Sequence, residues 1–365
     1  MGAFETTNSR EPPLLEDRPE ATYIPTHREG MEMIGMGMAD DLMIGLMYSY
    51  AHRFWVLEND GGEYVTNRID IQPDDAIHLM ATPFHRSTGT VVPNTGLSVE
   101  VTKDGSLVSQ ETIYPMLSER MGFHYGANFP LDGDGTYDVT VSAGGMDSNR
   151  FGEFEGLFGD AANATTEFEY SEATRNEIPY TLLEDEAGTE SALEPMSMKM
   201  MPNGSAPDPL PGERIGEAMS GDARFVVHQL SESRFAGVDT AGTEQSRSGG
   251  TQSEMQNGKA EPPTYIAVSA QTPHNRLVIP RMGIDMTVTS TGHDEKRTLF
   301  DGALEPGLDP ELGFHYGGVI DHLHAGDEIA LSVTTVPQVA RHEGYETAFM
   351  NMDDMTVTVP DSPTA

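Results

Sequence analysis

The side chains best able to do chemistry in this sequence are its histidines and methionines, 12 and 22 of them, in a chain without cysteine. Thiolate catalysis, thiolate metal sites and disulfides are thereby excluded. Thioethers are soft ligands suited to monovalent copper, and imidazole accepts copper, iron or zinc. The methionines come in short-period clusters: Met31, Met33, Met36, Met38, Met43 and Met47, then Met196, Met198, Met200 and Met201. Each cluster reads either as metal contact or as the filling of irregular gaps in a core. His78, His85, His124 and Met116 fall near strand ends or turns, and the two-residue period of a strand puts Met80 on the face of His78. Two imidazoles with one or two thioethers make a site that prefers copper and tolerates ferrous iron.

The elements that must position these groups are duplicated. MGFHYG around His124 returns as LGFHYG around His315, and an arginine follows each histidine by the same 26 positions, Arg150 and Arg341. Phe158 and Phe349 follow those arginines by a further eight, and TPFHR from Thr82 to Arg86 answers TPHNR from Thr272 to Arg276. Units this long are duplicated domains rather than solenoid repeats. FWVL, AIHLMA, LSVEV, YDVTV and EFEY in the first half, and YIAVSA, IDMTV, EIALSV and MTVTV in the second, are short strands between proline, glycine and aspartate turns. They predict an all-β fold of two antiparallel β-sandwiches in tandem. The expected boundaries are 22–171 for the first, 172–211 for an acidic, proline-rich linker, and 212–360 for the second, with a mobile insertion at 237–260.

Charge narrows the partners. With 59 acidic against 21 basic side chains the formal charge is -38, which repels nucleic acid and anionic membrane surfaces. Because 37% of residues are still hydrophobic, the acidity belongs to the surface of a folded chain, and it reads most simply as adaptation to high salt. No apolar run reaches spanning length, and the opening MGAFETTNSREPP has neither a basic nor an apolar leader region, so the chain as written is expected in the cytoplasm. A missing leader would move it outside.

From AIHLMATPFHR through MLSERMGFHYGAN to YDVTV, residues 70 to 145, the sequence resembles the bacterial periplasmic iron-uptake antigen family. That resemblance implies immunoglobulin-like sandwiches, dimerisation, copper and iron as bound metals, and work beside an iron permease. It carries over Met116 and His124 as ligands and sets His85 at the family's ligand histidine after its first core strand. The family's neighbouring glutamate has no clean equivalent, Met80 lying nearby while Pro83 and Phe84 disturb the register. The late histidine after an arginine is replaced by Phe151 after Arg150, but Arg341-His342 restores it in the second half, where His274 and His315 match the other histidines. The expected metal ligands are therefore His85, Met116, His124, Met80, His274, His315 and His342. The two halves are expected to pair within one chain, as the family's subunits do, with a homodimer as the other arrangement.

The function implied is binding and transfer of copper or ferrous iron. Two alternatives stand beside it: a degenerate sandwich serving as an interaction module, and a metal-dependent enzyme. The sequence holds no HExxH, G-x-S-x-G, Walker or dinucleotide fingerprint, which weighs against the last.

Overall fold

The computed structural model describes residues 12–198, 200–231, 235, 264–291 and 296–361, so the insertion expected at 237–260 lies outside the described residues. Strand alternation builds the core directly. In Gly135–Ala143 the side chains of Tyr137, Val139 and Val141 are buried while Thr136 and Asp138 face solvent. Among the described residues the only α-helix is Glu172–Glu177, whose first turn is capped by the Ser171 hydroxyl accepting from the Thr174 N–H.

The first half forms one long antiparallel sheet. Its order is Ala162–Tyr170, Gly135–Ala143, Leu97–Lys103, Ser106–Ser118, Gly122–Pro130, Asp75–His85, Leu42–Tyr50 and Glu32–Ala39. The two end strands meet: a Cβ at Gly37 would lie 2.6 Å from the Ala164 Cβ, and one at Gly35 would lie 2.7 Å from Thr166 Cγ2. The sheet thus curls into a near-closed barrel or sandwich, which protects both edges. The second half has a sheet ordered Glu305–Asp309, Gly313–Ile320, Thr264–Gln271, Ala223–Leu230 and Glu213–Ser220. Facing it is a four-stranded sheet ordered Arg297–Ala303, Gly283–Ser290, Glu328–Thr335 and Met355–Thr358.

Each half also lends a short strand to the other. Ala340–Arg341 lies parallel to Met116 and Leu117 and opposite Trp55, while Asn149–Arg150 lies parallel to Gly307 and Leu308. The all-β expectation therefore holds, as a near-closed antiparallel region with additional sheets whose strands cross between the halves.

The repeated arginines and phenylalanines make a repeated corner. Arg341 Nη1 donates to the Ala348 carbonyl at 2.5 Å, and Arg150 Nη1 donates to the Leu157 carbonyl at 2.9 Å. The residue after each carbonyl is a buried phenylalanine in left-handed backbone, Phe158 at φ 59° and Phe349 at φ 62°. The stretch from 172 to 211 lies along the first half: Tyr180–Leu182 pairs with His27–Glu29, the Leu193 N–H donates to the Glu119 carboxylate, and Met201 is buried over Gly45. No helix among the described residues is long and apolar enough to cross a membrane.

Candidate metal centre

The G-F-H-Y-G motif is a device for aiming one imidazole. Gly122, at φ 67°, turns the chain in a conformation that favours glycine, and its carbonyl faces His124 Nδ1 at 3.0 Å. With Nδ1 donating there, the lone pair sits on Nε2, which points away from the turn. Phe123 fills the core, and the Tyr125 hydroxyl accepts from the Gly96 N–H at 3.1 Å, tying the next loop to the same strand.

Three further imidazoles converge on His124. The ring centroids of His52 and His78 stack at 4.0 Å, His342 lies 4.9 Å from His52 and 5.4 Å from His78, and His124 lies 5.2 Å from His342. Ligand atoms of His52, His78 and His342 all fall within 4.8 Å of one another. Met116 pairs with His124 across the strands, and Gly126 keeps the space between them open: a Cβ there would lie 2.8 Å from His78 Nε2 and 3.1 Å from Met116 Sδ.

The tautomers are set from behind. Asn128 donates through Nδ2 to the His52 carbonyl, which turns its Oδ1 to His78 Nδ1 at 2.8 Å. His52 Nδ1 sits 2.8 Å from Glu29 Oε1, which holds that ring from its far side. The Nε2 atoms of His52, His78, His124 and His342 are all buried and unpaired within the protein. Leaving a buried polar atom unsatisfied costs about 1–3 kcal/mol, so four in one cluster are poor packing and a good metal-binding set. Burial lowers the His78 and His342 imidazoles well below the ordinary value and lowers His124 to about 4, so they stay neutral and able to coordinate. Burial raises the Glu29 carboxyl, but His52, His27 and the Ser49 hydroxyl together lower it and the net shift is downward.

His342 arrives from the second half. The Ala340–Arg341 strand seats it, the His342 N–H donates to the Leu117 carbonyl at 3.2 Å, and the adjoining Glu343 pairs with buried Arg53 at 2.8 Å. The cluster opens through a cleft lined by Glu29, Met31, His52, Met80, Glu119 and His342.

Of the residues expected from sequence, Met116, His124 and His342 come together and Met80 lines the same cleft. His85, His274 and His315 do not join them. His85 is an odd number of residues from His78 on one strand, so it points to the opposite face, where its ring meets Phe154 and Phe158 and its Nδ1 lies 3.0 Å from the Thr88 hydroxyl. His274 is exposed on a turn. Sequence reasoning missed Glu29 and His52, and it placed His78 beside His85, His124 and Met80 without including it among the expected ligands. The H-x-M alternation in AIHLMA carried a signal for His78; nothing local marked the other two.

The second half repeats the scaffold and fills the hole. Gly313, also at φ 67°, offers its carbonyl to His315 Nδ1 at 3.0 Å, and the Tyr316 hydroxyl accepts from the Met282 N–H at 3.0 Å. Here His315 Nε2 meets the Tyr265 hydroxyl at 3.0 Å. Strand register places Tyr265 where the first half has His78, and Gly307 where it has Met116. Phe151 comes over on the exchanged strand as His342 does, its N–H donating to the Leu308 carbonyl at 3.0 Å, and packs with Phe235 and Tyr265.

Comparison with known proteins follows the same division. Residues 57–177 match the model of the Fe2+ transport protein family. Residues 208–358 match a domain of unknown function (DUF7350). No curated protein matches the chain. Among solved structures, a copper-bound variant of FetP from uropathogenic Escherichia coli is 19% identical, over 38% of this chain and 97% of that one, with a TM-score of 0.27. A copper-bound variant of Campylobacter jejuni P19 is 20% identical, over 39% and 98%, with a TM-score of 0.30. FetP as isolated after expression in the periplasm is 18% identical, over 40% and 96%, at 0.27. The cytoplasmic placement expected from the sequence is corrected: of the matched proteins, FetP was expressed in the periplasm.

Proposed function

We propose that the protein captures copper or ferrous iron at the cluster of His52, His78, His124 and His342 with Met116, and passes the ion on without transforming any bond. The observation that carries this reading is the set of four buried Nε2 atoms, unpaired within the protein, those of His52, His78 and His124 on rings held from behind, around a space that Gly126 keeps open beside the Met116 sulfur. Imidazole and thioether donors favour copper, and Glu29 and Glu119 at the cleft supply the harder oxygen that ferrous iron accepts.

In this reading the chain is two immunoglobulin-like sandwiches, 22–171 and 212–360, joined by 172–211 and paired within one molecule as subunits of a dimer would be. The exchanged strands support that pairing, since the second half completes the first half's site with His342. The second half contributes a scaffold and one ligand rather than a site of its own. His85, His274 and His315 leave the ligand set.

Anaerobic titration with Cu(I) and with Fe(II), counted by elemental analysis, tests the proposal. A tight equivalent that disappears in His78→Ala and His342→Ala variants is expected. A wild-type chain that takes up neither ion would return the histidines to packing and favour the interaction module.

A further inference from the structure

The sheet that carries His78 and His124 has a second chemical feature on the same face. Strand register sets Met33 opposite Met47 and Met47 opposite Met80, a thioether row across three strands. The other face of the same strands carries ordinary core residues: Ile34, Ile44, Leu46 and Tyr48. Methionine is thus confined to one side of strands that elsewhere use branched and aromatic residues, the usual choice for a pleated surface.

Met47, Met80, Met121 and Met201 are buried together there. Met201 comes from the stretch that follows the first half, and its sulfur lies over a glycine: a Cβ at Gly45 would sit 2.6 Å from Met201 Sδ. This is the arrangement found at Gly126 beneath Met116 Sδ. The fold does not require the sulfurs. Register places Ala267 and His228 in the second half where the first has Met80 and Met47, and those strands pair equally well. Met31 and Met80 also line the cleft shared with His52 and His342, so thioethers and imidazoles border a common space.

We propose that this thioether layer is a second metal site, specific for a soft monovalent cation such as Cu(I) or Ag(I), with Met47, Met80 and Met201 as its central donors. Thioethers bind such ions without losing a proton and offer little to hard oxygen-seeking cations. Uptake there is therefore insensitive to pH over the range where imidazoles protonate. At the strand edge Met33 and Met38 are 44% and 53% exposed, which gives the layer an outward end at the surface of a strongly anionic chain. The site stands on different donors from the imidazole cluster and does not depend on it.

The test uses the full chain labelled with 13C at its methionine methyls and titrated with Ag(I), in wild type, in His124→Ala and in a Met47→Leu/Met201→Leu double variant. Leucine conserves the volume of methionine and removes the sulfur. Two bound equivalents are expected in wild type, with methyl shifts at Met47, Met80 and Met201. One of them should persist in His124→Ala, and one should be lost in the double variant while its thermal unfolding and Cu(II) uptake stay as in wild type. Unmoved methyl resonances, or a double variant that binds as much Ag(I) as wild type, would overturn the second site. Loss of both equivalents in a folded His124→Ala protein would overturn its independence. Absence of Cu(II) uptake with the methyl shifts retained would count against the imidazole reading alone.

Discussion

His124 and His315 occupy the same turn, donate to the same kind of glycine carbonyl and precede the same tyrosine clasp, yet one faces a cluster of unpaired nitrogens and the other a plug of aromatic rings. The difference lies in what reaches them from outside the motif. Around His124 stand His78, Met116 and the exchanged His342. Around His315 stand Tyr265, Gly307 and the exchanged Phe151. A Cβ at Gly126 would meet His78 Nε2 at 2.8 Å, whereas a Cβ at the corresponding Gly317 would meet the Tyr265 hydroxyl at 2.1 Å. The two glycines leave room for different neighbours, the His78 and Met116 donor atoms in one half and the Tyr265 phenol in the other. A hydrogen-bonded and stacked imidazole is settled; an unpaired one is poised to bind.

The comparison breaks most readily at the ligands. His78→Ala or His124→Ala is expected to weaken metal binding by more than about 100-fold, the upper range for losing a group that only orients a ligand, while His315→Ala leaves affinity unchanged. Competition titration against a chromophoric chelator measures both. Equal losses from the two halves would make the sites equivalent after all.

Gly126→Ala tests the open space itself. A methyl group beside His78 Nε2 and Met116 Sδ should lower affinity by about 10- to 100-fold, since ligand positions are sensitive to displacement of this kind. The matching Gly317→Ala should leave affinity alone and destabilise the fold by roughly 1–3 kcal/mol through overpacking against Tyr265. Urea unfolding with and without metal separates the two outcomes.

Asn128→Ala removes the group that fixes the His78 tautomer, and an affinity loss of about 10-fold is expected, with little change in the fold. In the opposite direction, Tyr265→His with Phe151→His and Gly307→Met rebuilds the donors in the second half. A further bound Cu(I), weaker than the first, is the expected result of elemental analysis.

A separate readout is the effect of pH on the metal-free protein. Burial lowers His124 to about 4 and holds His78 and His342 well below the ordinary value. As pH falls below about 6.5 the unfolded chain takes up these protons first, so the stability present above that value is progressively lost toward pH 4. Glu119 and Glu346, raised by burial, run the other way and stabilise the fold at acid pH relative to neutral. Thermal unfolding across pH 7 to 4 should therefore show a shallow decline that steepens for wild type relative to His124→Phe. Identical profiles would place the His124 ring in a solvated environment.

Much of the scaffold was legible in the sequence because it rests on local rules. Composition and turn residues marked YDVTV as a strand, whose Tyr137, Val139 and Val141 form one buried face, and the two G-F-H-Y-G copies marked two equivalent turns. The spacing from Arg150 to Phe158 and from Arg341 to Phe349 was visible as a repeat, though its cause, an arginine bonded to the carbonyl before a left-handed phenylalanine, was not. His85 shows how local pattern misleads: the resemblance aligned it with a ligand, but parity along its strand turns it toward Phe154.

By itself, then, the sequence determined the all-β class, the duplicated turns, the exclusion of thiolate chemistry and the donor types a metal would meet. These follow from periodicity, glycine conformation and composition, which act over a few residues at a time. Only the tertiary structure decided which donors meet. His52 and Glu29 are far from His124 in sequence, and His342 comes from the other half, so their convergence depends on sheet register and on a strand crossing between halves. A two-residue period fixes which face a side chain takes, but not which strand will lie beside it.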